Sequence, residues 1–112
     1  MSAYQPSKLA VLRFTQFIDS EYSSQGVTAI SIHPGNVLTE MATSGEVPDE
    51  LMHVFTETSE LPADTIVWFT AAKRDWLAGR YVNVTWDMEQ LEEKKDAIVK
   101  GDKLKVKLDV DF

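Results

Sequence analysis

A chain of 112 residues, 44% of them apolar and 10% aromatic, has the composition of one small globular domain with a modest core rather than of a disordered segment. It has no cysteine, which rules out a disulfide framework and any cysteine-based metal site, and its two histidines, His33 and His53, argue against a zinc cluster. A formal net charge of −7 and a pI of about 4.7 argue against nucleic acid and against anionic membrane surfaces as partners.

From Ser2 to about Ser24 the residues Leu9, Leu12, Phe14, Phe17, Ile18 and Tyr22 recur at three- and four-residue intervals, the period of a helix. Pro6 is compatible with that helix only in its first turn, where the missing N–H is no loss, so the helix is predicted to begin near Tyr4. The breadth of its apolar surface predicts two buried faces. Tyr4 and Lys8 stand four residues apart and share one face. A lysine ammonium beside a tyrosine favours the phenolate, moving a hydroxyl whose ordinary pKa is about 10 toward neutrality. Such a pair can exchange a proton with a substrate oxygen. For a lone Tyr-x-x-x-Lys the competing reading is a solvated helix face with one half-buried ring.

Ser23-Ser24-Gln25-Gly26 breaks the helix, with Gly26 suited to a left-handed cap. Val27 to His33 is rich in β-branched residues and is predicted as a buried parallel strand. A helix feeding a parallel strand is half of a crossover unit, and ligands of open α/β sheets gather beyond the carboxyl ends of such strands. His33-Pro34-Gly35-Asn36-Val37-Leu38-Thr39 lies at that end. The proline fixes φ and the glycine allows a sharp turn and a close backbone approach. The amides that follow, at Val37 and nearby, together with the Thr39 hydroxyl, could then hydrogen-bond a flat carboxamide. An ordinary turn is the alternative, and His33 itself reads as a strand-end core residue.

Residues 40 to 62, punctuated by Gly45, Pro48 and Pro62, are expected to be mobile, with a short helical pattern from Asp49 to Phe55. They read either as a cover over a pocket, with Met41, Met52, Val54 and Phe55 facing a substrate, or as a surface excursion. Pro62 to Ala72 is predicted as an amphipathic helix closed by Lys73-Arg74. Arg80 to Trp86 is a second strand, and Asp87 caps a short helix from Met88 to about Lys95. In the tail, Leu104, Val106, Leu108, Val110 and Phe112 alternate with polar residues, the pattern of an edge strand or of an arm laid on an apolar surface. Asn83-Val84-Thr85 fits a glycosylation sequon, which lies inside a strand and has no secretory signal to accompany it.

The Tyr4/Lys8 pair, followed downstream by Pro34-Gly35-Asn36-Val37-Leu38-Thr39, resembles the short-chain dehydrogenase/reductase family, whose active-site helix carries Tyr-x-x-x-Lys and whose later strand ends in Pro-Gly-x-Val-x-Thr. The resemblance runs from residue 1 to roughly residue 85 and covers the second half of the family domain. The glycine-rich phosphate turn, the Asn-Ala-Gly segment and the catalytic serine of the family lie upstream of its tyrosine and have no counterpart here. Met1, three residues before Tyr4, reads either as an internal methionine or as the true start of a half-domain.

The resemblance implies an α/β fold: the C-terminal part of a Rossmann-like doubly wound parallel sheet, two to three strands with helices. Residues 1–95 would form that half-domain and 96–112 an amphipathic tail. It further implies an oxidoreductase that interconverts a carbonyl and an alcohol with NAD or NADP. Tyr4 would be the proton donor and acceptor, Lys8 its activator and a ribose ligand, and Pro34, Gly35, Val37 and Thr39 the nicotinamide contacts. Leu12, Phe14 and Phe17 would form a homodimer contact along helix 4–24, with plain core as the other reading. Little activity is expected of these 112 residues alone, and the competing class is a non-catalytic fragment that associates through exposed edges. No apolar run approaches the roughly 20 residues of a membrane span and no secretory pattern opens the sequence, so the cytoplasm is the expected compartment.

Overall fold

The computed structural model describes residues 2–40 and 42–111. Met41, one of the side chains expected to face a substrate, lies outside the described residues, as do Met1 and Phe112.

The helical period materialises as α1, Tyr4–Tyr22. Pro6 falls in its first turn, and the Ser7 hydroxyl donates to the Tyr4 carbonyl at 2.6 Å, engaging an acceptor at the helix start. A 3-10 turn at Ser23–Gln25 ends on Gly26, whose φ of 80° is the expected left-handed cap. Only one face of α1 is covered. Thr15 is its buried residue and Leu12, Gln16, Ile18 and Asp19 are half-buried, whereas Leu9, Val11, Phe14, Phe17 and Tyr22 are exposed.

The strands are shorter than their sequence patterns. β1 is Ser31–His33 and β2 is Tyr81–Asn83, and the two are neighbours in a two-stranded sheet. Ser31 N–H donates to the Arg80 carbonyl at 2.9 Å and Val84 N–H to the His33 carbonyl at 3.1 Å, a slanted parallel ladder. The sheet realises the parallel α/β arrangement in partial form. Upstream of β1, Ala29 still accepts from Gly79 N–H at 2.8 Å, but Val27 is exposed and bonds back to the Tyr22 carbonyl. Downstream of β2 the chain turns at once. The Asn83 side-chain oxygen accepts from both the N–H and the hydroxyl of Thr85, an Asx turn that competes with ladder pairing and ends the strand before Trp86.

The chain divides into two compact units. The first comprises Met1–Ile32, Arg74–Val82 and Trp86–Phe112. Leu77, Val82, Leu91 and Ile98 are its buried apolar residues. Two buried hydroxyls join α1 to β1: Ser31 Oγ donates to Thr15 Oγ1 at 2.8 Å, and Thr15 Oγ1 donates to the Val11 carbonyl at 2.9 Å. Each hydroxyl is thereby satisfied, as burial requires. Asp87 caps α3, Met88–Glu93, its Oδ1 accepting from the N–H groups of Glu89 and Gln90. The helix expected to run to Lys95 breaks at Lys94, and a further helix absent from the sequence reading, α4, spans Lys95–Lys100. Buried Leu91 and Ile98, seven residues apart, are what the two short helices place inside.

Among the described residues the tail forms no strand. Asp102 and Leu104 adopt positive φ, 43° and 64°, which no β-strand accommodates. Charge pairing sets the turn: Asp102 gathers Lys105 at 2.9 Å, Arg80 at 3.1 Å and Lys107 at 3.9 Å. Arg80, itself buried, also donates to the carbonyls of Trp76 and Lys103, and Tyr81 N–H donates to the Leu104 carbonyl at 2.8 Å. Leu104 and Val106 are half-buried, but the alternation fails beyond them, with Leu108 92% and Val110 61% exposed.

The second unit comprises His33–Lys73 and Asn83–Thr85. Ala42, Phe69 and Val84 are its buried apolar residues. The expected helical pattern from Asp49 to Phe55 is a 3-10 helix, Asp49–Val54, preceded by a π-type turn at Ala42–Glu46. The helix α2, Glu60–Ala71, starts two residues ahead of its sequence boundary, with Pro62 in its first turn, and Lys73-Arg74 follow its end instead of closing its last turn. Among the described residues no helix is long and apolar enough to cross a membrane.

Candidate active site

Tyr4 and Lys8 lie on the first two turns of α1, in the first unit. The helical spacing brings them together: Lys8 Nζ stands 5.3 Å from the centre of the Tyr4 ring. A cation over a phenol ring at that distance is attracted by the ring quadrupole. Tyr4 is 47% exposed and Lys8 is exposed, so both are accessible from solvent.

Pro34, Gly35, Val37 and Thr39 belong to the second unit, directly after β1. Gly35 has φ 80°, the left-handed conformation that glycine adopts most readily. Its N–H donates to His33 Nδ1 at 3.0 Å, so His33 is a half-buried acceptor that shapes the turn. A side chain at position 35 would meet Glu57, its Cβ lying 3.2 Å from Glu57 Cγ. Glu57 reaches the next residue as well: the Asn36 N–H donates to Glu57 Oε2 at 2.8 Å, and the Glu57 N–H donates back to the Asn36 carbonyl at 3.3 Å. Val37 completes the contact as an isolated parallel bridge to Glu57. The Thr39 carbonyl accepts from the Thr43 N–H at 3.1 Å, turning the chain into the following segment. Met52 and Phe55 of that segment are half-buried and Val54 is 37% exposed.

Glu57 is the residue that sequence reasoning missed. A parallel pairing between positions twenty apart leaves no local pattern, and Glu57 sits between two threonines in a stretch without periodicity. Among the described residues no group of histidine, aspartate or glutamate side chains could hold a metal ion.

The family model for short chain dehydrogenases matches residues 1–49, a span that includes Tyr4, Lys8 and the 34–39 loop. The chain is 51% identical over 111 residues to the short chain dehydrogenase pigC of Monascus ruber, covering 96% of the chain and 36% of that protein. It is 44% identical over 110 residues to the short chain dehydrogenase andI of Emericella variicolor, covering 98% and 37%. The chain belongs to the short-chain dehydrogenase family. It spans about a third of the length of these curated relatives. No solved structure matches it. The relatives align over nearly the whole chain, so the segment after residue 49, with Glu57 and the Asp102 turn, falls within the shared region even though the family model ends before it.

Proposed function

We propose that this short-chain dehydrogenase segment carries the acid–base pair and the nicotinamide-facing loop of an NAD- or NADP-dependent oxidoreductase that interconverts a carbonyl and an alcohol. The observation that carries the reading is the lysine ammonium 5.3 Å from the accessible Tyr4 ring. When bound, the coenzyme supplies or accepts the hydride. In the reducing direction the Tyr4 hydroxyl gives its proton to the substrate oxygen, and in the oxidising direction the phenolate takes it back. Lys8 stabilises the phenolate electrostatically and donates to the ribose hydroxyls of the coenzyme. Pro34, Gly35, Val37 and Thr39 orient the carboxamide, with Gly35 giving the backbone its close approach.

The pyrophosphate site and the serine that orients the substrate in the family lie outside these residues, so the isolated 112 residues are expected to turn over little or no substrate. In the protein as it occurs in its natural source, Tyr4→Phe keeps the ring and its contact with Lys8 and removes only the transferable proton. The expected result is a fall in kcat of about a hundredfold or more, the order of a general-acid contribution, with coenzyme KM within about twofold. Unchanged kcat in this variant overturns the assignment.

A second reading concerns association. Phe14 is 64% and Phe17 48% exposed on α1, and an apolar face of this kind invites a partner. A second copy of the chain, through the helix at 4–24, is the partner proposed. The cytoplasm is the proposed compartment.

A further inference from the structure

We infer that Glu57 is a positioning residue that locks the turn at 34–37 and couples it to the segment at 42–58. The inference rests on the reading of that turn as the coenzyme contact. A carboxylate that accepts a backbone N–H makes one of the stronger hydrogen bonds available to a surface loop. Here it accepts from Asn36, the residue between the left-handed Gly35 and the bridging Val37. The same residue donates its own N–H to the Asn36 carbonyl, so both backbone groups of Asn36 are engaged by Glu57.

The aliphatic part of Glu57 occupies the side of Gly35 from which a Cβ is missing: a methyl there would stand 3.2 Å from Cγ and 3.4 Å from Cβ of Glu57. Gly35 therefore serves two ends, permitting φ 80° and admitting the glutamate stem. Glu57 directly follows the 3-10 helix at Asp49–Val54 by three residues, so a displacement of that segment is transmitted to the amides at 35–37 through one side chain and one bridge. A cover whose end is fastened to the coenzyme loop aligns the nicotinamide contacts only when it is docked.

The test compares Glu57→Ala, which loses the acceptor, with Glu57→Gln, which keeps an acceptor oxygen at the same reach, in the protein as it occurs in its natural source. Amide hydrogen exchange at Asn36 is measured without coenzyme, and coenzyme KM and kcat are measured separately. Expected are exchange at Asn36 roughly tenfold faster in Glu57→Ala, a coenzyme KM raised by a similar factor, and a kcat at saturation within about threefold, with Glu57→Gln close to wild type on all three. Should the alanine variant fail to fold, Glu57→Asp, one methylene shorter and still charged, is expected to follow the same direction.

Unchanged exchange at Asn36 overturns the lock whatever the coenzyme data show. Faster exchange with unchanged KM overturns the positioning role. Wild-type protein that binds neither NAD(H) nor NADP(H) overturns the coenzyme reading on which the positioning role depends, while the exchange comparison still decides the lock.

Discussion

At the scale of single residues, Gly35 is where backbone geometry and side-chain packing make the same demand. An alanine at φ 80° is strained by about 1 kcal/mol relative to glycine, and its methyl would meet the Glu57 stem at 3.2 Å. The stem is flexible, so Gly35→Ala is expected to fold, with a loss of stability of roughly 1–2 kcal/mol read from the urea midpoint at unchanged m. A variant as stable as wild type would show that neither demand operates. Tyr4 and Lys8 differ in kind from Gly35: their meeting depends on helix spacing alone, which is why two letters four apart in the sequence were enough to anticipate a contact.

At the scale of elements, two devices at helix ends carry testable weight. Asp87 Oδ1 satisfies the N–H groups of Glu89 and Gln90 at 2.9 and 3.0 Å, two of the orphan donors of α3. Asp87→Ala is expected to cost about 1 kcal/mol and Asp87→Asn much less, measured by chemical unfolding. Asp102 makes the turn after α4, and the hydrogen bond from Lys105, followed by the pull of Lys105 and Arg80, holds its carboxyl below the ordinary 3.8 against partial desolvation. A group whose pKa is lower in the folded state contributes stability above its unfolded value and loses that contribution as pH falls through the folded value. The stability difference between wild type and Asp102→Asn is therefore expected to be constant near neutrality and to shrink below about pH 4. Because the carboxyl is 56% exposed, added salt should narrow the difference. A difference independent of pH between 7 and 3 would remove charge pairing as the cause of the turn. Asp87 was legible because capping is local: a short polar residue precedes a helical pattern. The strand expected in the tail does not form because the alternation from Leu104 to Val110 says nothing of the charges that gather on Asp102 at the bend, Lys105 from nearby and Arg80 from more than twenty positions away. The strands were likewise legible in kind and not in length, since β2 is cut short by the Asn83–Thr85 turn.

At the scale of the whole molecule, the sequence of α1 asks for more burial than the chain gives it. The helix was expected to bury two faces, and the covered one holds Thr15 inside with Leu12 and Ile18 half-buried, while Leu9, Val11, Phe14 and Phe17 lie about half-exposed or more. Periodicity reports how much apolar surface a helix carries; it does not report who covers it. Covering such a side chain is worth on the order of 1–2 kcal/mol, so a face of several such residues can hold two copies together at modest concentration. The net charge of −7 opposes self-association only over long range and is screened in salt, so association should strengthen as ionic strength rises. Light scattering after size exclusion is therefore expected to give a mass above the 12.6 kDa of one chain, with more of the larger species at higher salt. The double variant Phe14→Ser, Phe17→Ser should return the protein to a single chain at unchanged helical content, because neither ring belongs to the buried core. A wild-type chain that stays monomeric at every concentration would mean that this face is covered by something other than a second copy. Association that survives the double variant would move the contact to a different surface, such as the exposed Ile66 and Val67 of α2.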